Sequence, residues 1–257
     1  MPTTRDTDAL AGQLDAVEAV LRDPGAATVD VQRAGEFEQL ATRLLATSPG
    51  QVTRSVLSRV HSPAREKLVS DVQAARLLGA MTAPQPKLPD WRIVQPLPPA
   101  VLLRYYHQAE KATGVPWEYL AAVNLVETRM GRLAGTSTAG AQGPMQFMPS
   151  TWAVYGDGGD IHDPHDAILG AGRLLAANGF ADHPQEALHH YNNSDGYVRA
   201  VTLLAGIIRE HPRELTAYHA WQIYFLTSRG PVLLPEGYDE PRPVPVGRWL
   251  RTHPQGG

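Results

Sequence analysis

The sequence contains no cysteine, which excludes a disulfide framework and any metal site built from thiolates. It also lacks an excess of positive charge. The formal net charge of the 257-residue chain is -3, so no basic field points to nucleic acid as a partner. An acidic or neutral polymer remains compatible with this charge.

Long apolar runs are absent as well, since no stretch of about 18 apolar residues could span a bilayer. The opening residues, MPTTRDTDALAG, show no basic segment followed by an apolar one. We therefore expect either that the protein remains inside the cell or that a leader is missing from this chain. The hydrophobic content of 43% is nevertheless sufficient to build a proper core.

Helical periodicity dominates what is present. In the first eighty residues, Leu10, Leu14, Val17 and Leu21 repeat as one apolar stripe, and similar stripes follow. We expect residues 1–81 to form a helical region that serves as a scaffold or a docking surface. No βαβ alternation and no fixed-period repeat appears along the chain, so the fold class is predicted to be all-α.

Several residues have the character of helix boundaries. Ser62 followed by Pro63 predicts one helix start, and Asp163 followed by Pro164 predicts another, with the polar side chain as N-cap and proline at the first helical position. Gly114 predicts a helix end. These signals divide the helical parts of the chain into short elements.

Proline-rich segments flank the central part of the chain. Residues 82–98 predict a strap, and Trp91 and Ile93 within it favour a packed strap over a loose tether. The apolar run 221–226 is compatible with a helix or a strand. The Pro/Gly-rich residues 227–257 predict a tail, a strap with a loose end. Between the flanks lies a helical domain at residues 99–226.

One carboxylate interrupts an apolar helix face in this central domain. Glu127, in the stretch LVETRMG, lies on the same side as Leu120 and Val123. An apolar setting disfavours the ionised form, so we expect a raised pKa and a glutamic acid able to donate a proton near neutral pH. The alternative is a surface glutamate paired with Arg129 or Arg132.

Two further motifs follow in the chain. Residues 140–150, GAQGPMQFMPS, form a loop rich in small residues, where backbone can approach a ligand closely. Gln146 in this loop offers both a donor and an acceptor, which suits sugar hydroxyls and amides. Residues 190–193, HYNN, add an aromatic ring, a phenol and an amide at a helix end.

In this order, the three motifs resemble the lytic transglycosylase domain of the goose-type lysozyme fold, over roughly Pro99 to Glu210. GPMQFMPSTW, GDIHDPHDA and AANG are also similar to the membrane-bound lytic murein transglycosylase branch. The resemblance implies an all-α, lysozyme-like (goose-type) catalytic domain with an N-terminal helical extension. It implies peptidoglycan glycan strands as the partner, no cofactor, and action outside the cytoplasm.

The resemblance also implies roles for individual residues. Glu127 matches the single catalytic acid/base, which cleaves the β-1,4 bond between N-acetylmuramic acid and N-acetylglucosamine and forms a 1,6-anhydro end. The matching substrate-binding residues are Gln146, Gly143, Met145, Tyr191, Asn192 and Thr128. This sequence departs from the usual motifs in having Thr128 where serine is common, Pro144 for leucine and His190 for alanine.

Aromatic residues near these motifs are candidates for stacking on sugar rings. Tyr155 is assigned to substrate binding on this ground, with core packing as the alternative. Trp152 and Tyr197 have the same two interpretations, and core packing is favoured for Trp152.

Two alternative functions remain open. A hydrolytic muramidase would need a second carboxylate to position water, for which the candidates are Asp157, Asp160, Asp163 and Asp166. A module that binds glycan strands without cutting them is the other alternative.

The acidic turn GDGGDIHDPHD raises the question of a metal. The related branch has a calcium loop near this position, and the version here is shortened. His162 and His165 lie close to aspartates, but no HExxH zinc motif is present. A solvated turn is the preferred interpretation, so no metal is predicted.

Overall fold

The computed structural model describes residues 2–255 and is mostly α-helical, with 57% of the chain in helices. The chain divides into two compact units. The first contains the residues up to Met81 together with Arg199–Trp221, and the second contains Thr82–Val198 together with the residues from Gln222 onward. The expected all-α, lysozyme-like class is confirmed, with short strands added.

Twelve helices occur among the described residues. In chain order they are α1 Thr7–Arg22, α2 Thr28–Thr47, α3 Gly50–Leu57, α4 Ala64–Ala80, α5 Pro99–Thr113, α6 Trp117–Thr128, α7 Pro149–Tyr155, α8 Pro164–Ala177, α9 Pro184–Tyr191, α10 Asp195–Glu210, α11 Glu214–His219 and α12 Val246–Thr252. The strands are β1 Lys87–Leu88, β2 Arg92–Ile93, β3 Leu133–Ala134, β4 Ile223–Thr227, β5 Gly230–Leu234 and β6 Val244–Pro245. Within this part of the chain, no helix has the length and apolar character needed to cross a membrane.

The first unit is built around α2, which packs against α1, α4 and α11. Helix α1 begins where Asp6 accepts hydrogen bonds from two backbone N–H groups, the N-cap arrangement that satisfies donors left free by the first turn. Its stripe Leu10, Leu14 and Leu21 is buried in the unit's core. The apolar periodicity therefore predicts which face of α1 is covered.

The predicted start at Ser62 differs from the structure by one residue. Helix α4 begins at Ala64 with Pro63 in the N-cap position, and no side chain caps it. The Ser62 hydroxyl instead donates to Glu66 Oε1 over 3.1 Å. Since a proline occupies the capping position itself, serine is one residue too far back to cap the first turn.

The first unit also contains a buried cluster of charges that the sequence pattern does not predict. The Lys67 ammonium is fully buried and lies 3.5 Å from Glu18, 3.7 Å from Asp71 and 3.2 Å from Glu214, and it also contacts Glu38. The phenol of Tyr218 donates to Asp71 over 2.6 Å. These carboxylates lie on the buried faces of α1, α2, α4 and α11.

The second unit contains the motif-bearing helices, and its most extensive helix contact joins α5 and α8. Helix α5 ends at Gly114 in the left-handed region, with φ +74°, as its glycine predicts. Helix α8 begins as predicted, with Asp163 accepting from the His165 and Asp166 N–H groups. Helix α6 is buried on nearly all sides, so the residues at its end are held firmly.

The flanking segments form a small second core inside this unit, which corrects the expected loose tail. Strand β1 pairs with β6, β2 pairs with β3, and β4 and β5 form an antiparallel hairpin with Ile223 opposite Leu234. Helix α12, Val246–Thr252, follows β6. The core residues here include Leu88, Ile93, Val232, Leu234, Tyr238, Val246 and Trp249. Buried apolar side chains from both flanks make this packing more favourable than a loose tail.

Candidate active site

Glu127 lies in the last turn of α6 and is half-buried. The Tyr197 phenol, in the first turn of α10, donates a hydrogen bond to Glu127 Oε1 over 2.7 Å. The alternative pairings with Arg129 or Arg132 are not what the structure shows, since neither makes a salt bridge with Glu127 among the described residues. The carboxyl group therefore faces a neutral hydrogen-bond donor.

Burial raises the pKa of Glu127 to about 7, against the lowering effect of the Tyr197 hydrogen bond. The ionised carboxylate is disfavoured because its surroundings replace water. Near neutral pH both forms are populated, which suits a group that must first give and then take a proton. The expectation of a raised pKa from the apolar helix face agrees with this geometry.

The chain turns sharply directly after Glu127. Arg129, Met130 and Gly131 all have positive φ values, of 54°, 61° and 89°. Left-handed conformations cost energy for residues other than glycine, and they persist where the surrounding structure fixes them. This turn ends α6 one residue after Glu127 and brings the following loop back toward the helix.

Helix α6 is tied to that loop through Pro144. The Thr128 hydroxyl donates to the Pro144 carbonyl over 2.6 Å, and the Asn124 amide donates to the same oxygen over 2.8 Å. Tyr106 in turn donates to Asn124 Oδ1 over 2.7 Å. Thr128 is buried and its hydroxyl is used inside the protein, so the structure favours a positioning role over the predicted substrate contact.

The loop that contains Gln146 is a tight turn closed by two backbone hydrogen bonds between Gln142 and Phe147, both 2.9 Å. Gly143 is required there, because its φ is +73° and an added Cβ would lie 1.9 Å from the Ile161 carbonyl oxygen. The Gln146 amide donates to the Gly143 carbonyl over 2.9 Å and to the Gly135 carbonyl over 3.3 Å. Among the described residues none donates to Gln146 Oε1, which leaves an acceptor for a ligand hydroxyl.

Two parallel tyrosines join this loop to Glu127. The rings of Tyr191 and Tyr197 stack with centroids 6.4 Å apart and an angle of 6° between planes. The Tyr191 phenol donates to the Met145 carbonyl over 2.7 Å. Burial raises the pKa of both phenols, so both remain hydrogen-bond donors over the ordinary pH range. Met145 itself is fully buried and supports the loop from behind.

Hydrogen bonds and ring contacts therefore connect Glu127, Thr128, Gly143, Met145, Gln146 and Tyr191. Asn192 is half-buried at the end of α9, and no described contact joins it to Glu127. Tyr155 is half-buried at the end of α7, and no described contact joins it to this group either. Trp152 packs edge-on against Phe147 at 5.1 Å, which agrees with core packing. Substrate contacts by Asn192 and Tyr155 stay predictions.

Tyr197, Asn124 and Tyr106 are functional neighbours that the motifs do not identify. Tyr197 is predicted only as a ring that stacks on sugar or packs in the core, whereas its phenol bonds the catalytic candidate. It lies 70 residues from Glu127 in sequence. The only available signal is its place at the start of a helix shortly after the Tyr191 motif, which carries no information on the direction of the phenol.

The acidic turn places the side chains of Asp163, His165 and Asp166 within 4.8 Å of one another. Their oxygens already have structural partners: Asp163 caps α8, and Asp166 accepts from the Asp160 N–H over 3.0 Å. That hydrogen bond lowers the pKa of Asp166. The donor set, one imidazole and carboxylates used to hold the turn, does not fit the all-oxygen shell that calcium prefers.

The other two candidates for a second, water-positioning carboxylate also have partners within the protein. Asp157 pairs with Arg173 over 2.9 Å, and Asp160 accepts from the His162 N–H over 2.8 Å. The pKa of Glu127 is set by burial and Tyr197, with no contribution from another carboxylate of the described chain. A single carboxyl group thus dominates the electrostatics of the site.

Fold and site together define a class: a mostly helical, lysozyme-like domain with one half-buried acid at a helix end. A comparison with family models agrees with this class. Residues 104–206 match the transglycosylase SLT domain, and this stretch contains Glu127, the Gln146 loop, Tyr191 and Tyr197. This match supports a lytic transglycosylase catalytic domain within these residues and a lytic transglycosylase-type activity on peptidoglycan, and it suggests action outside the cytoplasm. Comparisons with curated proteins and with solved structures gave no match.

Proposed function

We propose that this protein is a peptidoglycan lytic transglycosylase in which Glu127 is the only acid/base. It would cleave the β-1,4 bond between N-acetylmuramic acid and N-acetylglucosamine and leave a 1,6-anhydro end. The observation that carries the proposal is a half-buried glutamic acid at a helix end whose only described hydrogen-bond partner is a phenol, an environment in which burial raises the pKa to about 7. Such a group can be an acid at the start of the reaction and a base at its end.

The first step is protonation of the leaving oxygen. The protonated Glu127 carboxyl group gives its proton to the glycosidic oxygen as the bond from that oxygen to C1 of the muramic acid breaks. Positive charge develops at C1, and the acetamido group of the same sugar stabilises it, as in glycosidases that use the substrate's own groups. Tyr197 donates to the carboxylate that results, which stabilises the charge formed on Glu127.

The second step closes the ring. The Glu127 carboxylate takes the proton of the C6 hydroxyl of the same muramic acid, and the C6 oxygen forms a bond to C1. Glu127 is again protonated, and no water is consumed. Intramolecular attack is entropically favourable when the sugar is held in the reacting geometry. We assign this holding role to Gln146, whose Oε1 is open to a sugar donor, and to the Tyr191 side of the site.

The geometry supports this route over hydrolysis. Hydrolytic glycosidases position water or a nucleophile with a second carboxylate roughly 5 to 10 Å from the first. The candidates for such a carboxylate in the acidic turn have partners within the protein, and burial is what raises the pKa of Glu127. Intramolecular attack by the C6 hydroxyl needs no second carboxylate.

The test is the Glu127→Gln variant on insoluble peptidoglycan. The amide has nearly the same shape but no proton to give, so we expect an intact fold, retained co-sedimentation with peptidoglycan, and release of soluble fragments reduced at least about a thousandfold. The matched control is Glu118→Gln, which changes a buried glutamate in the first turn of the same helix. Turnover by folded Glu127→Gln protein would refute the assignment, and binding without cleavage by the wild type would indicate a glycan-binding module.

A further inference from the structure

Trp91, in the strap before the catalytic helices, contacts the loop that follows Glu127. Its indole N–H donates to the Thr136 carbonyl over 3.2 Å. Its ring lies directly against Gly135, where an added Cβ would be 2.4 Å from Trp91 Cδ1. The ring therefore rests on backbone that only glycine can present so closely.

The same Gly135 holds the side chain of Gln146. The Gly135 carbonyl accepts from Gln146 Nε2 over 3.3 Å, and the second acceptor of that amide is the Gly143 carbonyl inside its own turn. Gly135 is thus one of the two carbonyl acceptors that set the direction of the Gln146 amide. Gly135 therefore links the Trp91 ring to the Gln146 side chain, which we assign to sugar binding.

The backbone around Trp91 is fixed from two sides. Arg92 and Ile93 pair with Ala134 and Leu133, so β2 and β3 run side by side immediately before Gly135. Ile93 N–H donates to the Tyr238 carbonyl over 2.8 Å on the other side. Strand β2 of the strap therefore has hydrogen-bond partners both in the loop of the candidate site and in the C-terminal segment.

A further ring contact holds the indole itself. Phe225, in the β4–β5 hairpin, meets Trp91 edge-on with centroids 5.3 Å apart. Trp91 is half-buried, and its ring contacts both this small core and the loop. The ring thus contacts Phe225 on one side and is tied by its N–H to the loop at Thr136.

We propose that Trp91 is a positioning residue for glycan cleavage, acting through Gly135 on the Gln146 side chain. The inference rests on the proposed function and adds that the strap, which lies outside the matched SLT stretch 104–206, helps to position a substrate-binding side chain. Trp91 itself does not touch the reacting atoms in this account. Its loss would leave Glu127 with its pKa and partner unchanged.

The test is a double-mutant cycle that combines Trp91→Phe with Gln146→Ala, measured as kcat/KM on peptidoglycan fragments. Phenylalanine keeps an aromatic ring but removes the N–H. We expect Trp91→Phe to lower kcat/KM about tenfold alone and less than about twofold in the Gln146→Ala background, because coupled residues are not additive. The alkaline limb of the pH profile, set by Glu127, should not move.

The matched control is Trp249→Phe, which alters a second tryptophan of the same small core that packs on Tyr238 and makes no described contact with the loop. We expect wild-type kcat/KM for it. Should Trp91→Phe fold poorly, Gly135→Ala tests the same link, because the added Cβ would displace the Trp91 ring. We again expect a lower kcat/KM for the single variant and a smaller effect in the Gln146→Ala background.

Equal effects of Trp91→Phe in both backgrounds, or wild-type kcat/KM for the folded variant, would overturn the inference. Cleavage by Glu127→Gln would overturn the proposed function and the inference with it. An active wild type, an inactive Glu127→Gln and an unaffected Trp91→Phe would leave the proposed function standing and refute the role of Trp91 alone.

Discussion

At the scale of single residues, the pKa of Glu127 is set by two opposing effects. Burial raises its pKa to about 7, and the Tyr197 phenol, at 2.7 Å, lowers it. Without the first, the group would be ionised at neutral pH and unable to donate a proton. Without the second, its pKa would rise further and it would become a weaker acid for the first step. The balance suits one group acting twice in a single turnover.

Replacing Tyr197 by phenylalanine removes the hydrogen bond and keeps the ring. Because the bond favours the ionised form, its loss should raise the pKa of Glu127, by about one unit for a hydrogen bond to a charged group. The alkaline limb of the kcat/KM profile, where Glu127 loses its proton, should move to higher pH by the same amount. Rates measured across the pH range test this directly.

Tyr191→Phe is the matched control, since its phenol bonds the Met145 carbonyl and not Glu127. We expect it to leave the limb in place, whatever it does to substrate affinity. An unmoved limb in Tyr197→Phe, or one moved to lower pH, would show that the pKa of Glu127 is not what limits the reaction.

At the scale of elements, the turn from Gln142 to Phe147 supplies most of the site wall. It is held by its own pair of backbone hydrogen bonds, by the Thr128 and Asn124 donors on Pro144, and by Tyr191 on Met145. The turn is thus fixed to two helices, α6 and α9, which also orders the Gln146 side chain. Its rigidity follows from hydrogen bonds and close contact.

Gly143→Ala should disrupt this turn, because its Cβ would need to occupy the place of the Ile161 carbonyl oxygen at a φ of +73°. We expect a loss of unfolding free energy of about 3 kcal/mol or more and at least about tenfold slower cleavage by the folded fraction. Gly158→Ala is the control, with φ +77° and nothing within 4 Å of its added Cβ. It should lose only about 1 kcal/mol and keep its activity. Equal losses in both would contradict the close-contact argument.

The sequence predicts the secondary-structure elements better than the contacts between them. Helix starts and ends at Asp163 and Gly114 follow from local chemistry, and the apolar neighbours of Glu127 predict its raised pKa. The role of Tyr197 depends on a contact 70 residues away, which no local pattern encodes. The small core of the flanks is hidden for the same reason: β2 and β3 are two-residue strands whose pairing is decided by tertiary contacts.

At the scale of the whole molecule, the titratable groups buried in the two units set how stability depends on pH. In the first unit, burial raises the pKa of Glu38 and Asp71, and of Glu214 to about 7. Burial lowers the pKa of the Lys67 amine, but the carboxylates around it raise that pKa by more than burial lowers it. The amine therefore stays charged. In the second unit Glu127 behaves as Glu214 does.

A carboxyl group with a raised folded-state pKa binds more protons in the folded than in the unfolded chain. Its contribution to stability is therefore complete below the unfolded pKa, about 4.5, and is lost as pH rises through about 7. We expect the unfolding free energy to fall over this range, by up to about 1.4 kcal/mol per pH unit for each such group. Denaturant titrations between pH 5 and pH 8 measure the slope.

Glu214→Gln should flatten this slope, since glutamine does not titrate, while the exposed change Glu236→Gln should leave it unaltered. A stability that rises with pH between 5 and 7 in the wild type would contradict the assignment of protonated, buried carboxyl groups. The role of the first unit as a scaffold or docking surface remains a prediction, and these variants test only what holds it together.

The most direct test of the central claim is the mass of the soluble products released from purified peptidoglycan by the wild-type protein, with Glu127→Gln as the blank. If Glu127 alone performs both proton transfers and the C6 hydroxyl closes the ring, each fragment will be lighter than the hydrolytic product by one water molecule. Fragments with free reducing ends would contradict the account and would require a second group that positions water.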